Sequence, residues 1–232
     1  MSSKRLDENI DFASVMAVAV HDMKNSISLL MQSIEDLNHS IPECYHESRE
    51  HLVNVHYEAS RLNTSLVQLL AFYRSDMDAL PTNIDECYIA ELMQEIVDTN
   101  LSYSKQRKLS ASIEIEDDLT WFVDRDLIFL LMHDVFINTI RYGADNIKIA
   151  AKIADQHLHL SIEDNGPGYP ESMLLMSDAE LDRLCLSEGR TGLGLFFAKL
   201  IAATHKNAGK SGFIKLSNNP DTGGSVFELI LP

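Results

Sequence analysis

The sequence predicts an α+β chain in two parts: an antiparallel helical hairpin over residues 1–80, then a mixed-sheet domain over residues 81–232. Three observations lead there. Apolar residues step by three and four along two long stretches before Asp76. From Leu109 onward, strand-like alternation intervenes between shorter helical stretches. Between the two regimes, Pro81 in MDALPTN stops a helix and pushes its predecessor towards extended backbone, which marks the boundary.

The first helix is expected from Asp7 to His39. Val20, Met23, Ile27, Leu30, Ile34, Leu37 and Ile41 form the seam of a helix packed in a bundle. If Val20 and Ile27 are core positions, His21 lies beside the seam and Asn25, four residues on, shares its outer face. On this stretch alone, His21 reads as a solvated surface group. A turn around Pro42 follows, then a second helix from about Tyr45 to Asp76 with Leu52, Val55, Ala59, Leu62, Leu66, Leu69 and Tyr73 inward. Each helix would be about 45 Å long. Two amphipathic helices cannot cover each other's apolar surface, and pairing with a second copy solves this, so a homodimeric four-helix bundle is expected. His46, His51 and His56 are five apart, which does not align two imidazoles on one face; they read as surface residues rather than metal ligands.

In the second part, Tyr88 to Ser104 reads as a helix with Ile89, Leu92, Met93, Ile96 and Leu101 inward. Leu109 to Ile115 alternates as a strand. A helix from about Asp124 to Tyr142 carries Leu127, Leu130, Leu131, Val135 and Ile140 on its apolar face. Strands follow at Ile147–Ile153 and His157–Ile162, with His157 and His159 on one solvated face, and SVFELILP closes the chain as a strand after Gly223-Gly224. Helices on one side of a mixed sheet are the expected arrangement.

Composition limits the partners. Lys+Arg is 19 against Asp+Glu 35, a formal charge of −16, which nucleic-acid backbones and anionic membranes would repel. A nucleotide in a local pocket is still admitted. Cys44, Cys87 and Cys185 are far apart and without CxxC spacing, as expected of free thiols in a reducing compartment. Met1 to Ile10 is charged and polar, unlike a secretory signal, and the longest apolar run, Phe12 to Val20, is too short to span a bilayer. A soluble, cytoplasmic protein without membrane insertion is expected.

The signals for chemistry are clustered downstream. Asp164-Asn165-Gly166-Pro167-Gly168 places a carboxylate at a strand end leading into a glycine turn. Gly192-Leu193-Gly194-Leu195 then opens the apolar helical pattern FFAKLIAA, and glycines at a helix entry let backbone N–H groups approach phosphates. Asn138 and Arg141, three apart on a helix, share a face and could supply a neutral metal ligand and a phosphate-pairing cation.

In order, spacing and context, these segments resemble the sensor histidine kinases and the nucleotide-binding fold they share with gyrase-type ATPases, over essentially the whole chain. HDMKNS resembles the phosphoacceptor box, INTIRYG the asparagine box, and DNGPG and GLGL the two glycine boxes. The resemblance implies a C-terminal α/β sandwich that binds ATP and Mg²⁺. In it, Asp164 would accept from the adenine amino group, Asn138 would ligate Mg²⁺, Arg141 would pair with a phosphate and Tyr142 would flank the base. Gly166, Gly168, Gly192 and Gly194 would shape the pocket and hinge a lid between Tyr169 and Thr191. His21 would receive the γ-phosphoryl group, with Asp22 holding the imidazole tautomer and taking its proton, and Asn25 would orient water for a phosphatase reaction. The phosphoryl group would pass to an aspartate on a separate response-regulator receiver domain. Because only some twenty residues precede His21, input would come from an unidentified sensory partner, or this chain is part of a longer one.

Three departures stand out. Ser26 replaces the usual proline of the acceptor box, the lid is acidic and lacks phenylalanine, and Asp134 stands four before Asn138, where asparagine is common. An acid there would assist Mg²⁺ or activate water for futile ATP hydrolysis. Two alternatives stay open at this level. One is a phosphotransfer or adaptor protein with a vestigial ATP site; the other is a gyrase-like ATPase or serine-directed kinase.

Overall fold

The computed structural model describes residues 12–42, 45, 48, 51–52, 55–56, 58–60, 62, 82–100, 109–177 and 192–232. The chain divides into two compact units, Met1–Asp78 and Ala79–Pro232.

In the first unit, helix α1 spans Phe12–Ser40. Tyr45 N–H donates to the Pro42 carbonyl at 3.1 Å, closing the turn expected around that proline. The described residues between 48 and 62 are helical, and the rest of the expected second helix lies outside the described residues. Ile34 and Ala59 are buried, whereas Met23, Leu30 and Leu37, spaced by seven, are about half exposed.

The second unit begins with strand β1 (Asp85–Tyr88), which runs directly into helix α2 (Ile89–Thr99). Ile89, Leu92, Met93 and Ile96 are buried as their spacing predicts. The helix stops earlier than expected: Asn100 turns out of it, its N–H on the Val97 carbonyl and its side-chain amide donating to the Ile96 carbonyl. This satisfies carbonyls that the end of a helix leaves open. Strands β2 (Ser110–Glu114) and β3 (Thr120–Val123) precede helix α3 (Arg125–Arg141). Asp124 caps α3, accepting from Leu127 N–H at 3.0 Å.

The buried stripe of α3 is Ile128, Leu131, Met132, Phe136, Ile137 and Ile140, while Leu127, Leu130 and Val135 are half-buried. The expected face was turned by about one position. RDLIFLLMHDVFINTI is apolar nearly all round, so its period does not single out one stripe.

Strands β4 (Asn146–Ala154) and β5 (His157–Asp164) follow, then helix α4 (Glu171–Ser177) and helix α5 (Gly192–Thr204). A small hairpin, β6 (Lys206–Asn207) and β7 (Lys210–Ser211), leads to β8 (Phe213–Asn218) and β9 (Ser225–Leu231). The main sheet has the order β2-β4-β5-β9-β8, with β2 and β4 parallel and the other pairs antiparallel. β1 and β3 form a separate antiparallel pair.

Leu158, Leu160 and Ile162 of β5 and Phe227, Leu229 and Leu231 of β9 point into the core, where α3 packs on β5 and α5 on β8 and β9. The other face of β5 is less solvated than expected, because His159 Nδ1 lies 2.8 Å from Glu228 Oε1 and His157 Nδ1 lies 2.6 Å from the Asp155 carbonyl. Cys87 is a free, buried thiol whose pKa burial pushes up, as befits a core residue rather than a reactive one. Cys44 and Cys185 lie outside the described residues.

Candidate nucleotide site

Asp164 ends β5 on the core side of the sheet and is 6% exposed. A carboxylate so buried must be bonded. Its Oδ1 accepts from Gly166 N–H at 2.7 Å and from Ser225 N–H at 3.2 Å, and its Oδ2 accepts from the Ser225 hydroxyl. Ser225, the first residue of β9, was not singled out from the sequence. Its one available signal was its place directly after the glycine pair.

Those glycines are required by contact. A Cβ on Gly224 would lie 1.7 Å from the Asp164 carbonyl oxygen. Gly168 has φ +77°, and a Cβ there would meet the Gly223 carbonyl oxygen at 2.5 Å. The β8–β9 loop and the Asp164–Gly168 turn therefore meet backbone to backbone at these glycines. Asn218, across the ladder from Ser225, fastens this contact: its side chain accepts from Tyr169 N–H at 2.7 Å and donates to the Tyr169 carbonyl at 2.9 Å.

The same turn is tied to the end of α3. Asn165 Oδ1 accepts from the N–H groups of Asp145 and Asn146, both at 3.1 Å, and its amide donates to Asp145 Oδ1 at 2.6 Å. A Cβ on Gly166 would stand 3.7 Å from both the Tyr142 carbonyl oxygen and Ala144 N. Asn138 is half-buried on α3, and Arg141 and Tyr142 are exposed at its C-terminal end, the guanidinium 5.5 Å from the Tyr142 ring centroid. Asp134, one turn before Asn138, is half-buried. Thus the Asp164–Gly168 turn and the Tyr142–Asn146 segment converge.

Gly192 and Gly194 lie in the first turn of α5. Residues 178–191, most of the expected lid, lie outside the described residues. Among the described residues, no group of three or more His, Cys, Asp or Glu side chains is arranged to hold a metal. An asparagine-led Mg²⁺ site shared with phosphate oxygens does not need one, and the half-buried Asn138 carboxamide fits that donor chemistry.

On α1, His21 lies in mid-helix, its side chain outside the described residues, while Asp22 and Asn25 are exposed. No helix among the described residues is long and apolar enough to cross a membrane.

Residues 123–232 match the family described as histidine kinase-, DNA gyrase B-, and HSP90-like ATPase. The adaptive-response sensory kinase SasA of Synechococcus sp. (strain JA-3-3Ab) is 26% identical over 87% of this chain and 56% of its own length. The sensor histidine kinase CssS of Bacillus subtilis (strain 168) is 24% identical over 91% of this chain and 45% of its own. The chain thus spans about half the length of these relatives.

Among solved structures, the histidine kinase AdeS of Acinetobacter baumannii is similar in fold, with a TM-score of 0.59 at 20% identity over 89% of this chain and 95% of that one. The catalytic domain of the histidine kinase ThkA gives 0.54 at 21% identity over 65% of this chain and 96% of that one. Residues 123–232 thus carry the match to the ATPase family named above. Within it, this is a catalytic domain of the two-component sensor histidine kinase type.

Proposed function

We propose that the chain is a cytoplasmic, homodimeric protein histidine kinase that uses Mg²⁺-ATP to phosphorylate His21. The phosphoryl group then passes to an aspartate of a response-regulator receiver domain, and the same protein removes it again. The observation that carries the reading is Asp164. It is buried, it is held by Ser225 and by Gly166 N–H, and it ends a strand beside the C-terminal end of the helix bearing Asn138 and Arg141. A carboxylate fixed that way is an acceptor for the adenine amino group.

In this reading the chain's residues divide the work. Asn138, aided by Asp134, holds Mg²⁺, which neutralises phosphate charge when bound. Arg141 pairs with a phosphate and Tyr142 lies against the base. Gly192 and Gly194 leave the first N–H groups of α5 open to phosphate oxygens. Residues 81–232 form the kinase part and residues 1–80 the dimerising, phosphate-accepting part. In the latter, Asp22 fixes the His21 tautomer and takes its proton, and Asn25 orients water for the phosphatase step. The half-exposed stripe of Met23, Leu30 and Leu37 supports pairing with a second copy. Sensory input arrives from a partner or from a further part of a longer chain.

The test is incubation with γ-labelled ATP and Mg²⁺. The label is expected to be stable to base, labile to acid, absent from His21→Ala, and transferred to an added receiver domain. Acid-stable label would point to serine, and acid-labile label surviving His21→Ala would remove the assigned acceptor.

A further inference from the structure

We infer that Glu163 and Asn219 form a positioning pair for the adenine site, clamping the β8–β9 loop from the outer face of the sheet so that Gly224 and Ser225 hold Asp164 towards the base. This rests on the proposed adenine-reading role of Asp164. Successive residues of a strand point to opposite faces, so Glu163 lies on the outer face while Asp164, its neighbour on β5, lies on the core side. On that outer face the Asn219 amide donates to Glu163 Oε1. Lys148 is the register partner of Glu163 on β4, but its ammonium is bonded to Glu114 Oε2 at 2.6 Å, towards β2 and away from β9.

The β8–β9 loop is built around Asn219. Its Oδ1 accepts from the N–H groups of Asp221 and Thr222, at 2.8 and 3.3 Å. Its own N–H donates to the Gly224 carbonyl at 2.8 Å, and its carbonyl accepts from Gly223 N–H at 2.8 Å. With the carboxamide oxygen accepting inside the loop, the amide hydrogens are left to face the carboxylate, so one planar group ties the loop to itself and to β5. The loop ends on the residues that touch Asp164. Gly224 packs against its carbonyl oxygen, and Ser225 bonds its carboxylate through both N–H and hydroxyl. Consecutive residues of β5 therefore hold one loop from both faces, Asp164 through Ser225 and Glu163 through Asn219. Without the outer contact the loop is held from the core side alone, and any shift of Ser225 turns the Asp164 carboxylate with it.

The test titrates the full chain with ADP and with purine riboside 5′-diphosphate, which lacks the amino group that Asp164 would read. Wild-type protein is expected to favour ADP; equal affinity for both would overturn the adenine reading itself, before any variant is compared. Asn219→Asp keeps the oxygen that accepts inside the loop but sets a second carboxylate against Glu163. Glu163→Ala removes the outer contact and leaves the bonds within the loop. Each is expected to weaken ADP about five- to tenfold, the scale of one hydrogen bond, and the analogue less than about twofold. Asn219→Asp combined with Glu163→Gln exchanges donor and acceptor, the glutamine amide now donating to the aspartate. ADP affinity is then expected to return to within about twofold of wild type. In a wild-type protein that favours ADP, equal losses for both ligands, no loss in either single variant, or a double variant as weak as Asn219→Asp would overturn the inference.

Discussion

Ser26 stands where the acceptor box usually has proline, and its hydroxyl donates to the Asp22 carbonyl at 2.9 Å. Proline at 26 would have removed the N–H that faces the same carbonyl, so serine supplies an extra bond to Asp22 where proline would take one away. The departure thus concerns the backbone beside the proposed acceptor. At the other end of the chain, Gly224 leaves no room for a methyl group, since the nearest atom is a backbone oxygen rather than a yielding side chain. Gly224→Ala is expected to destabilise the protein by about 3 kcal/mol or more, read as a lowered denaturant midpoint, and to weaken ADP binding by displacing Asp164. An unchanged midpoint would refute that packing. Asp164 was legible in the sequence because a carboxylate before a glycine turn is a local pattern. Ser225 and Asn218 were not, because what gives them a role is contact with a turn about fifty to sixty residues earlier in the chain.

The two helices that carry the proposed phosphate-side residues are linked at one end by His205. This residue follows α5, is buried, and accepts from the Asp124 N–H through Nε2 at 3.0 Å. Nε2 must then be unprotonated, so Nδ1 carries the hydrogen and donates to the Ile201 carbonyl at 2.8 Å. Asp124 in turn caps α3 and accepts from Asn83 N–H at 2.7 Å. Burial pushes the His205 pKa down, with the Ile201 bond and the Asp124 charge opposing. The unfolded chain therefore takes up this proton first as pH falls. The contribution to stability is complete above the ordinary value of 6.5 and is lost as pH drops from there through the folded-state value. His205→Gln is expected to flatten the rise of unfolding free energy between about pH 5 and about pH 7.5; an unaltered slope would refute the assignment. Helix α2 and strands β4, β5 and β9 were legible because their periodicity runs over enough residues to be distinctive. β1, β3, β6 and β7 were not, being two to four residues long, and β1 and β3 pair with each other only across helix α2 and strand β2.

For the molecule as a whole, the proposed dimer makes its own prediction. Leu30 sits in the middle of the exposed stripe of α1, so Leu30→Glu would place a charge in a helix-to-helix seam. Sedimentation equilibrium is expected to shift from dimer to monomer, and a wild-type protein already monomeric at micromolar concentration would remove the four-helix bundle. Periodicity alone made the apolar stripe of α1 legible, because its steps of three and four continue over several turns, whereas a partner chain leaves no local pattern of its own. In the proposed reaction a nucleotide read by Asp164 supplies phosphate to His21. Its most direct test is site mapping by mass spectrometry, under alkaline handling, of protein incubated with Mg²⁺-ATP. One phosphate on His21 is expected, and none after Asp164→Asn. Phosphate mapped to a serine, or undiminished phosphate on His21 in Asp164→Asn, would contradict it.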